Sequence, residues 1–538
     1  MLLALVIACT SGSVFSQGIT EFNIPFGYKL PVRNIDGVVN VNLDQSESAG
    51  KTINSSFYGA DNKGFSKLPS PSVVNQLGLG FIKFGGNLNS TYNWELDAYY
   101  DIYTNNISYV YAPLERRLRA VREQYRVDAA FQVNLLGWQP ELGRDGVLRV
   151  ENTADQDHAA NAVRFINGQK KLGVKYIIIG NEPFLSESTH NQPIPSADEY
   201  IEKFIDYAYA IREAQLQVNG RPNSIEIWGP EIATGWTGFQ TTHPDDCTID
   251  YSVAETMVCS YGNGQFSEFI PYFLSKLAEF ESDTKANPKG FKLLDRLTLH
   301  YYPLFRTSFA DTNSIITNSN GEQNVQGMLE STNLWDSENY INRFDTASPR
   351  GVAPQILPRF KEWAQQNYPN VKIAVTEFGI DSAEEIAYHP IVRPLYLADM
   401  VPRLAKSGID GFVHSFLQAG SANFSQWALI NGEEKSPLFY TYSLYTRMFK
   451  GQVLVSSETY GDEVNSYTVR NGDKINVFLV NKNTRAHNTA VRFSRNGVNE
   501  QEVAEVSLPA WSVTVLSVPT TESSEINVYR YGAQEMGL

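Results

Sequence analysis

The sequence lacks the features of a membrane-spanning or nucleic-acid-binding protein. Among its 538 residues, no apolar run beyond the first few positions approaches the roughly 20 residues that a helix needs to cross a bilayer. Lysine and arginine number 44 against 59 acidic residues, which gives a net charge of −15, and they form no cluster that would bind phosphate groups. These absences exclude an integral membrane protein and disfavour a nucleic-acid-binding one.

Cysteine is also scarce, with three residues in the whole chain. Cys247 and Cys259 lie close together in one segment, and such a pair in an exported chain suggests a disulfide, with two free thiols as the alternative. No cluster of His and Cys has the spacing of a zinc site, so we expect no metal in the reaction and no required cofactor. A structural Ca²⁺ held by loop oxygens is the open alternative.

The first sixteen residues have much of the pattern of an export signal, although a positively charged start is missing. Leu2–Ala8 is apolar, and the small or short residues Val14 and Ser16 stand at the −3 and −1 positions of a cleavage site after Ser16. The segment that ends at Cys9 is also similar to a bacterial lipoprotein box, so lipid anchoring at Cys9 is the alternative. Both alternatives predict a secreted, cell-surface or periplasmic protein, which we expect to be a monomer.

Length and composition indicate a globular protein with more than one domain or a decorated barrel. Hydrophobic residues make up 42% and charged residues 19%, whereas a single core stops growing at about 250–300 residues. Aromatic residues reach 12%. They indicate either large cores or a cleft lined with flat rings, which would suit a sugar.

Eight short apolar or β-branched runs alternate with helical patterns between residues 51 and 450. One of these helices begins at the capping box of Ser196 and Glu199. Eight alternations of strand and helix predict an α/β fold, a (β/α)₈ barrel, with an open doubly wound sheet as the alternative. The predicted strands are 55–59, 81–86, 129–136, 176–181, 225–229, 297–302, 373–377 and 411–416. The other predicted helices are 114–124, 157–172, 266–280, 356–366, 395–406 and 438–449.

After Gly451 the pattern changes to short strands separated by turns, which predicts an antiparallel β-sandwich over 451–519. Residues 17–50 are also strand-like, and we expect them to complete this accessory domain. The polar residues 520–538 predict a tail or a linker.

Two carboxylates stand at predicted strand ends on opposite sides of the barrel. Glu182 follows the fourth strand and Glu377 ends the seventh, and reacting groups in such barrels lie at the carboxyl ends of strands. A facing pair of this kind suits glycosidic bond cleavage, because one carboxyl group donates a proton and the other attacks or activates water. The separation of the pair decides between retention and inversion, and the sequence does not fix it.

These residues carry a resemblance to a known group of enzymes. Asn181-Glu182-Pro183 and Thr376-Glu377-Phe378 resemble the corresponding motifs of clan A of the glycoside hydrolases. The resemblance implies a retaining double displacement, with Glu182 as acid/base and Glu377 as nucleophile. It also implies that Asn181 binds the 2-hydroxyl of the sugar being cleaved.

Further motifs are similar to glycoside hydrolase family 44, a family of endo-β-1,4-glucanases and xyloglucanases that carries a β-sandwich beside its barrel. The resemblance extends over about residues 40–515 and implies an endo-acting enzyme on cellulose derivatives, xyloglucan or glucomannan. The matching segments are 84–87 with Asn87, 91–94, 181–183 with 188–190, 299–303, 334–336 and 357–363.

Two segments depart from the family pattern. Phe378 and the turn at 379–381 replace the expected Tyr and Gly-containing turn, and the strand-8 segment 412–416 lacks an expected Trp, for which Trp427 is a candidate substitute. These changes leave the reaction in place and bring other β-glycans into question, namely mannan, xylan or a marine galactan.

Other side chains at the strand ends are candidate contacts for the sugar. Tyr302 resembles a clan A tyrosine that bonds the nucleophile, with a packed core Tyr as the alternative. His300 is expected either to serve the sugar or to fill the barrel. Glu231 is a third carboxylate, interpreted as a substrate contact or a partner for a basic residue. Candidate platforms for pyranose rings, of which two or three are expected to serve, are Trp94, Trp138, Trp236, Trp335 and Trp427.

Two hypotheses from other classes complete the set. A catalytically silent glycan-binding barrel is disfavoured because both carboxylates are present. A Rossmann-type oxidoreductase would need a G-x-G-x-x-G turn after the first strand, which Gly85-Gly86 does not supply.

Overall fold

A computed structural model gives the fold of the chain. It describes residues 18–31, 34–46, 52–101, 103–183, 195–232, 243, 245–250, 256–302, 322–334, 356–380, 388–419, 426–460, 463–495, 498–520 and 525–538. The predicted signal segment with Cys9, the motif segment 188–190, Trp236 and Trp335 lie outside the described residues. Within those ranges, no helix combines the length and the apolar character needed to cross a membrane.

Eight parallel strands close into a barrel in chain order around the ring, with strand 1 paired to both strand 2 and strand 8. This confirms the predicted (β/α)₈ barrel and excludes the open sheet. Barrel strands 1 to 8 are Tyr58–Asp61, Phe81–Phe84, Asp128–Val133, Tyr176–Ile179, Glu226–Ile232, Arg296–Tyr301, Lys372–Phe378 and Gly411–His414.

A helix follows each barrel strand. The longest, Ala197–Asn219, begins at the predicted capping box, in which the Ser196 and Glu199 side chains each accept a hydrogen bond from the other residue's backbone N–H. Two helices continue into π-helical turns, at Val121–Tyr125 and Arg164–Gln169. The other helices are Pro71–Val74, Leu114–Ala120, Gln156–Val163, Phe269–Ser282, Val325–Glu330, Ile356–Asn367, Val392–Lys406, Pro437–Met448 and Ala533–Met536.

The first barrel strand begins later than the sequence predicted. Residues Ser55–Phe57 form a 3₁₀ turn, because the Asn54 side chain accepts the backbone N–H of Ser56 and so competes with the strand pairing. The strand therefore runs over Tyr58–Asp61, and its carboxyl end lies at Asp61.

The barrel interior is apolar at one end and charged at the other. Phe81, Tyr176 and Trp228 form a packed aromatic layer, with ring centroids 4.9–5.5 Å apart. Side chains two residues apart on a strand point the same way, so Lys83 lies above Phe81 inside the barrel. This buried aromatic layer therefore closes the barrel interior below the charged residues at the carboxyl ends of the strands.

The accessory domain is one ten-stranded sheet that folds over on itself around its own core. In one strand, Val477 and Leu479 face this core, whereas Phe478 faces the barrel and stacks on Tyr445 with centroids 4.7 Å apart. The predicted sandwich built from both chain ends is thus confirmed. Its strands are Thr20–Ile24, Gly37–Ser46, Thr52–Ile53, Gly451–Glu458, Val464–Asn471, Lys474–Asn481, His487–Arg495, Val498–Leu508, Ser512–Pro519 and Ile526–Gly532.

The last residues correct the prediction of a tail or linker. Ile526–Gly532 is a strand that pairs antiparallel with both Ser512–Pro519 and Thr20–Ile24. Its first residues alternate between buried and partly exposed positions, which is the period of a half-buried strand. The polar composition of the surrounding residues concealed this alternation.

Short hairpins and ribbons decorate the barrel. Cys247 and Cys259 face each other across one hairpin and are joined by a disulfide. The strands of these small sheets are Tyr92–Asn93, Ala98–Asp101, Asn106–Tyr109, Trp138–Leu142, Leu148–Asn152, Cys247–Asp250, Thr256–Cys259, Ile430–Asn431 and Glu434–Lys435.

Candidate active site

The backbone after strand 4 turns sharply to present Glu182. Gly180 has φ 74°, and a Cβ there would come within 2.9 Å of Leu135, so glycine is required at this position. Glu182 itself has φ 41°, and its N–H donates to the Glu231 carbonyl over 2.9 Å. The turn therefore holds the Glu182 carboxylate at the barrel mouth.

The two predicted carboxylates meet at this mouth. One oxygen of Glu182, one oxygen of Glu377 and a ring nitrogen of His300 all lie within 4.8 Å of one another. Carboxyl groups about 5–5.5 Å apart suit retention, and a gap of about 6.5–9.5 Å suits inversion. An approach of these two oxygens within 4.8 Å favours the shorter of these separations.

His300 lies between three carboxylates. Its Nδ1 is 2.8 Å from Glu182 and 3.5 Å from Glu377, and its Nε2 is 2.9 Å from Glu231. Burial alone would lower the pKa of His300, but Glu377, Glu182 and Glu231 outweigh it and raise the pKa to about 9. The ring is thus a cation at neutral pH that donates to carboxylates on both sides.

The Glu377 carboxylate is 2% exposed and bonded by three donors. Oε2 accepts from Tyr302 over 2.6 Å and from Lys63 over 2.5 Å, and Oε1 lies 3.3 Å from Lys83. Burial would raise the pKa of Glu377, but His300, Lys63 and Lys83 together hold it well below its usual range. Glu377 is therefore ionised.

Lys83 is a fully buried ammonium beneath the mouth. It donates to Glu231 over 2.8 Å and to the Thr376 carbonyl over 3.3 Å, and it lies 3.7 Å from Asp61. Burial raises the pKa of Asp61 to about 7 against the effect of Lys83, whereas Lys83 and His300 overcome burial to lower the pKa of Glu231 to about 2. The buried ammonium is thus shared among several carboxylates.

A hydrogen-bonded chain leads outward from the residue before Glu182. The Asn181 amide donates to Asn87 over 2.8 Å, and the Asn87 amide donates to the exposed hydroxyl of Tyr103 over 3.1 Å. These bonds bring two predicted substrate contacts together beside the carboxylate pair.

Two predicted substrate contacts are corrected by their burial. Glu231 and His300 are both 0% exposed, and both ring nitrogens of His300 are bonded to carboxylates. Neither side chain reaches a sugar directly. Glu231 instead is the partner of Lys83, which is the other role considered for it.

The predicted aromatic platforms divide by environment. Trp427 is 6% exposed, with the Arg393 guanidinium over its ring, so the platform prediction is wrong for it. Trp94 packs on Phe165 and donates to the His158 carbonyl over 3.2 Å, which is a packing environment. Trp138 is half-buried at the start of a hairpin and stays a candidate platform.

Several site residues were missed by the sequence analysis. Lys83 had a signal, because a lysine inside the apolar run 81–84 must be paired when it is buried. Asp61 ends barrel strand 1 and Lys63 follows that strand, and no motif marked either residue. Ser415, 3.1 Å from the Tyr302 hydroxyl, also had none.

The carboxylate cluster has the donor types of a metal site, since Glu182, His300 and Glu377 each offer a ligand atom. However, Lys63 and Lys83 both contact Glu377, and the imidazole bonds two carboxylates. These positive charges already balance the carboxylates, which disfavours a divalent cation here.

A closed (β/α)₈ barrel with two neighbouring carboxylates after strands 4 and 7 is the arrangement that the resemblance to clan A of the glycoside hydrolases implies. A sequence profile of glycoside hydrolase family 44 matches residues 141–304. The predicted resemblance is confirmed: the chain resembles the clan A glycoside hydrolases and, among them, family 44 most.

Known proteins share this fold over nearly the whole chain. CelM2, a bifunctional glucanase-xylanase from a metagenome library, aligns with TM-score 0.63 and 17% identity, over 93% of this chain and 100% of its own. A family 44 xyloglucanase from Paenibacillus polymyxa aligns with TM-score 0.62 and 15% identity, over 92% and 99%. At these identities the likeness shows the fold.

A curated relative matches part of the sequence. Beta-mannanase/endoglucanase A from Caldicellulosiruptor saccharolyticus is 25% identical over 255 residues, which are 44% of this chain. The matched chain spans 17% of that relative's length.

Proposed function

We propose that this protein hydrolyses β-1,4-glucan-type plant polysaccharides with retention, using Glu182 as acid/base and Glu377 as nucleophile. The observation that carries the proposal is the asymmetric pair: Glu377 is buried, ionised and bonded by two lysines and a tyrosine, and an oxygen of Glu182 lies within 4.8 Å. An attacking group has to be ionised, and a proton donor has to face the leaving oxygen.

The proposed reaction has two displacements. In the first, a Glu377 oxygen bonds to the anomeric carbon, the glycosidic C–O bond breaks, and Glu182 gives its proton to the leaving oxygen. In the second, Glu182 takes a proton from water, the water oxygen bonds to the anomeric carbon, and Glu377 leaves as a carboxylate. His300 engages Oε1 of Glu182, so we assign the proton transfers to the other oxygen.

Asn181 and Tyr302 have supporting roles in this proposal. The Asn181 side chain lies beside Glu182 and is assigned to the 2-hydroxyl of the reacting sugar. Tyr302 donates to Glu377 and so orients the carboxylate for attack.

Cellulose derivatives, xyloglucan and glucomannan are the proposed substrates, because the family profile and the xyloglucanase relative point to a glucan backbone. Xylan and mannan are the second candidates, favoured by relatives named as a glucanase-xylanase and a mannanase/endoglucanase. Phe416, at the strand-8 departure, lies beside the site, with the Lys63 ammonium 5.0 Å from its ring centre, whereas Phe378, at the strand-7 departure, is buried against Tyr396 and Phe412.

Product analysis tests the proposal. The full chain is incubated with carboxymethyl cellulose, xyloglucan, glucomannan, xylan and agarose, and the products are sized. Oligosaccharides of mixed length from the first three support endo-action on β-1,4-glucans, and proton NMR of the first anomer released should show retention. Products from xylan or agarose alone would discard the substrate assignment, and no product from any polymer would favour a silent binding barrel.

We also infer export of the protein. The apolar pattern of residues 1–16 and the disulfide between Cys247 and Cys259 both favour an oxidising compartment. Fractionation of expressing cells with labelling of lipid-modified protein would separate cleavage after Ser16 from anchoring at Cys9.

A further inference from the structure

Lys63 occupies an unusual place beside the proposed nucleophile. It begins the 3₁₀ turn Lys63–Phe65 directly after barrel strand 1, and its ammonium lies 2.5 Å from Oε2 of Glu377 and 3.2 Å from the Tyr302 hydroxyl. The same ammonium lies 5.0 Å from the centre of the Phe416 ring. Lys63 therefore joins the loops after strands 1, 6 and 8 at the reacting oxygen.

The two lysines at Glu377 differ in access and in partners. Lys83 is 0% exposed and is shared with Glu231 and Asp61, whereas 21% of the Lys63 side chain is exposed. In the described part of the chain, Glu377 is the one carboxylate within ion-pair distance of Lys63. Lys83 is thus part of the buried scaffold, and Lys63 stands on the open side from which a sugar must approach.

We propose that Lys63 is a catalytic residue that pairs with the negative charge of Glu377. This ion pair is lost when Glu377 becomes an ester with the sugar, and it forms again when the ester is hydrolysed. This inference rests on the proposed function, in which Glu377 is the nucleophile. In the first displacement the Glu377 oxygen forms the C–O bond and loses its charge. In the second that bond breaks, its electron pair returns to Glu377, and Lys63 stabilises the departing carboxylate.

The effect of Lys63 on Glu377 can be tested separately from the effects of the other two cations. His300 and Lys83 are buried cations that also serve other carboxylates, so neither responds to Glu377 alone. The charged and polar groups that face Glu377 from the elements packed around it are Asp61, Lys63, Lys83, Glu182, Glu231, His300, Tyr302 and Ser415.

The test compares Lys63→Met, which removes the charge and keeps the length, with Lys63→Arg, which keeps the charge. The acidic limb of the kcat/KM profile reports ionisation in the free enzyme. Loss of a nearby opposite charge moves such a limb by about one to three pH units. We expect the limb of Lys63→Met to rise by about one unit or more and that of Lys63→Arg to stay near the wild type.

A second readout isolates the hydrolysis step. With a dinitrophenyl β-glycoside of the released sugar, the first displacement is fast and the glycosyl-enzyme accumulates. Lys63→Met should lower the steady-state rate about tenfold while its burst remains close to one product per enzyme. Mass spectrometry would detect the accumulated adduct on Glu377.

Failure of this inference can be told apart from failure of the proposed function. A folded Lys63→Met enzyme with the wild-type acidic limb and the wild-type ratio of burst to steady-state rate would overturn the role of Lys63, provided that Glu377→Gln is inactive. An active Glu377→Gln enzyme would instead overturn the nucleophile itself. If Lys63→Met does not fold, Lys63→Gln takes its place with the same expected results.

Discussion

The properties of each carboxyl group in this site follow from the side chains around it. Four acidic residues, Asp61, Glu182, Glu231 and Glu377, lie at the mouth of the barrel or just inside it, among two lysines and an imidazolium. Glu377 is ionised because its cations exceed the effect of burial, whereas burial of Asp61 outweighs Lys83, Lys63 and His300 and raises its pKa to about 7. The same residue type therefore has different charge states within one cluster.

Glu377→Gln should abolish turnover and preserve the fold. The amide keeps the shape and the hydrogen bond from Tyr302, but it cannot form the covalent intermediate. Product release from the preferred polysaccharide should drop by about a thousandfold or more. Glu123→Gln is the matched control, because this exposed glutamate should tolerate the same exchange. Turnover near the wild-type level would remove Glu377 from the nucleophile role.

Glu182→Gln should impair polysaccharides far more than activated aryl glycosides, because a good leaving group needs no proton. Azide should restore part of the rate and yield a β-glycosyl azide, since the anion replaces water in the second displacement without a base. Chromatography of the azide product checks this. Equal losses on both substrates with no azide product would contradict an acid/base role.

Barrel strands were the part of the fold most accessible from the sequence. Each of the eight predicted runs overlaps an observed strand, because strands in a closed barrel are covered on both faces and so are nearly continuous in apolar residues. The strand Ile526–Gly532 was missed because it is a half-buried strand in a polar segment, where only alternation marks it. Its pairing with the two neighbouring strands, more than its composition, determines its conformation.

The candidate site was predictable only in part, for a related reason. Glu182 and Glu377 lie at strand ends, and the topology of a barrel alone brings such positions together. Lys63 meets Glu377 across a sequence separation of 314 residues, which only the closed ring supplies. The complete burial of Glu231 and His300 also depends on that packing, so their assignment as sugar contacts failed.

Strand 8 carries a buried histidine whose titration should be visible in stability. Burial lowers the pKa of His414 to about 4, although its Nε2 bonds the Trp427 carbonyl over 2.9 Å. Its unfolded pKa is about 6.5, so between pH 6.5 and 4 the unfolded chain binds more protons and stability falls as the pH falls. The contribution lost over this window is about 3 kcal/mol.

His414→Gln isolates this effect, because glutamine can still donate to the Trp427 carbonyl and does not titrate. The free energy of unfolding in urea should fall less for the variant than for the wild type between pH 7 and pH 4.5. Other groups titrate equally in both chains, so the difference between the two slopes is the measurement. Parallel slopes would show that His414 is not held neutral by the fold.

At the scale of the whole molecule, one buried cluster ties the barrel to the sandwich. Asp399, in the barrel helix Val392–Lys406, is 0% exposed and lies 3.1 Å from the ammonium of Lys482 in the sandwich. It also accepts from Asn465 over 2.8 Å and from Tyr467 over 2.6 Å. The Lys482 side chain is 0% exposed, as is that of Lys83 at the active site.

We expect this cluster to couple the stability of the two domains, and a double-mutant cycle on Asp399 and Lys482 measures the coupling free energy. Asp399→Asn removes the carboxylate that pairs with the buried Lys482 ammonium and should destabilise the protein by about 3–5 kcal/mol. Lys482→Met should act similarly, and the double variant should recover much of the loss, because the Asp399–Lys482 charge pair is then removed as a whole and Arg403 is the remaining cation beside the site. Thermal unfolding followed separately by fluorescence and by polysaccharide turnover should show one transition in the wild type. If this cluster is needed for the stability of the barrel, fluorescence and activity should also be lost at the same temperature in Asp399→Asn. Additive losses in the double variant would instead mean that Asp399 and Lys482 stabilise their own domains independently of each other.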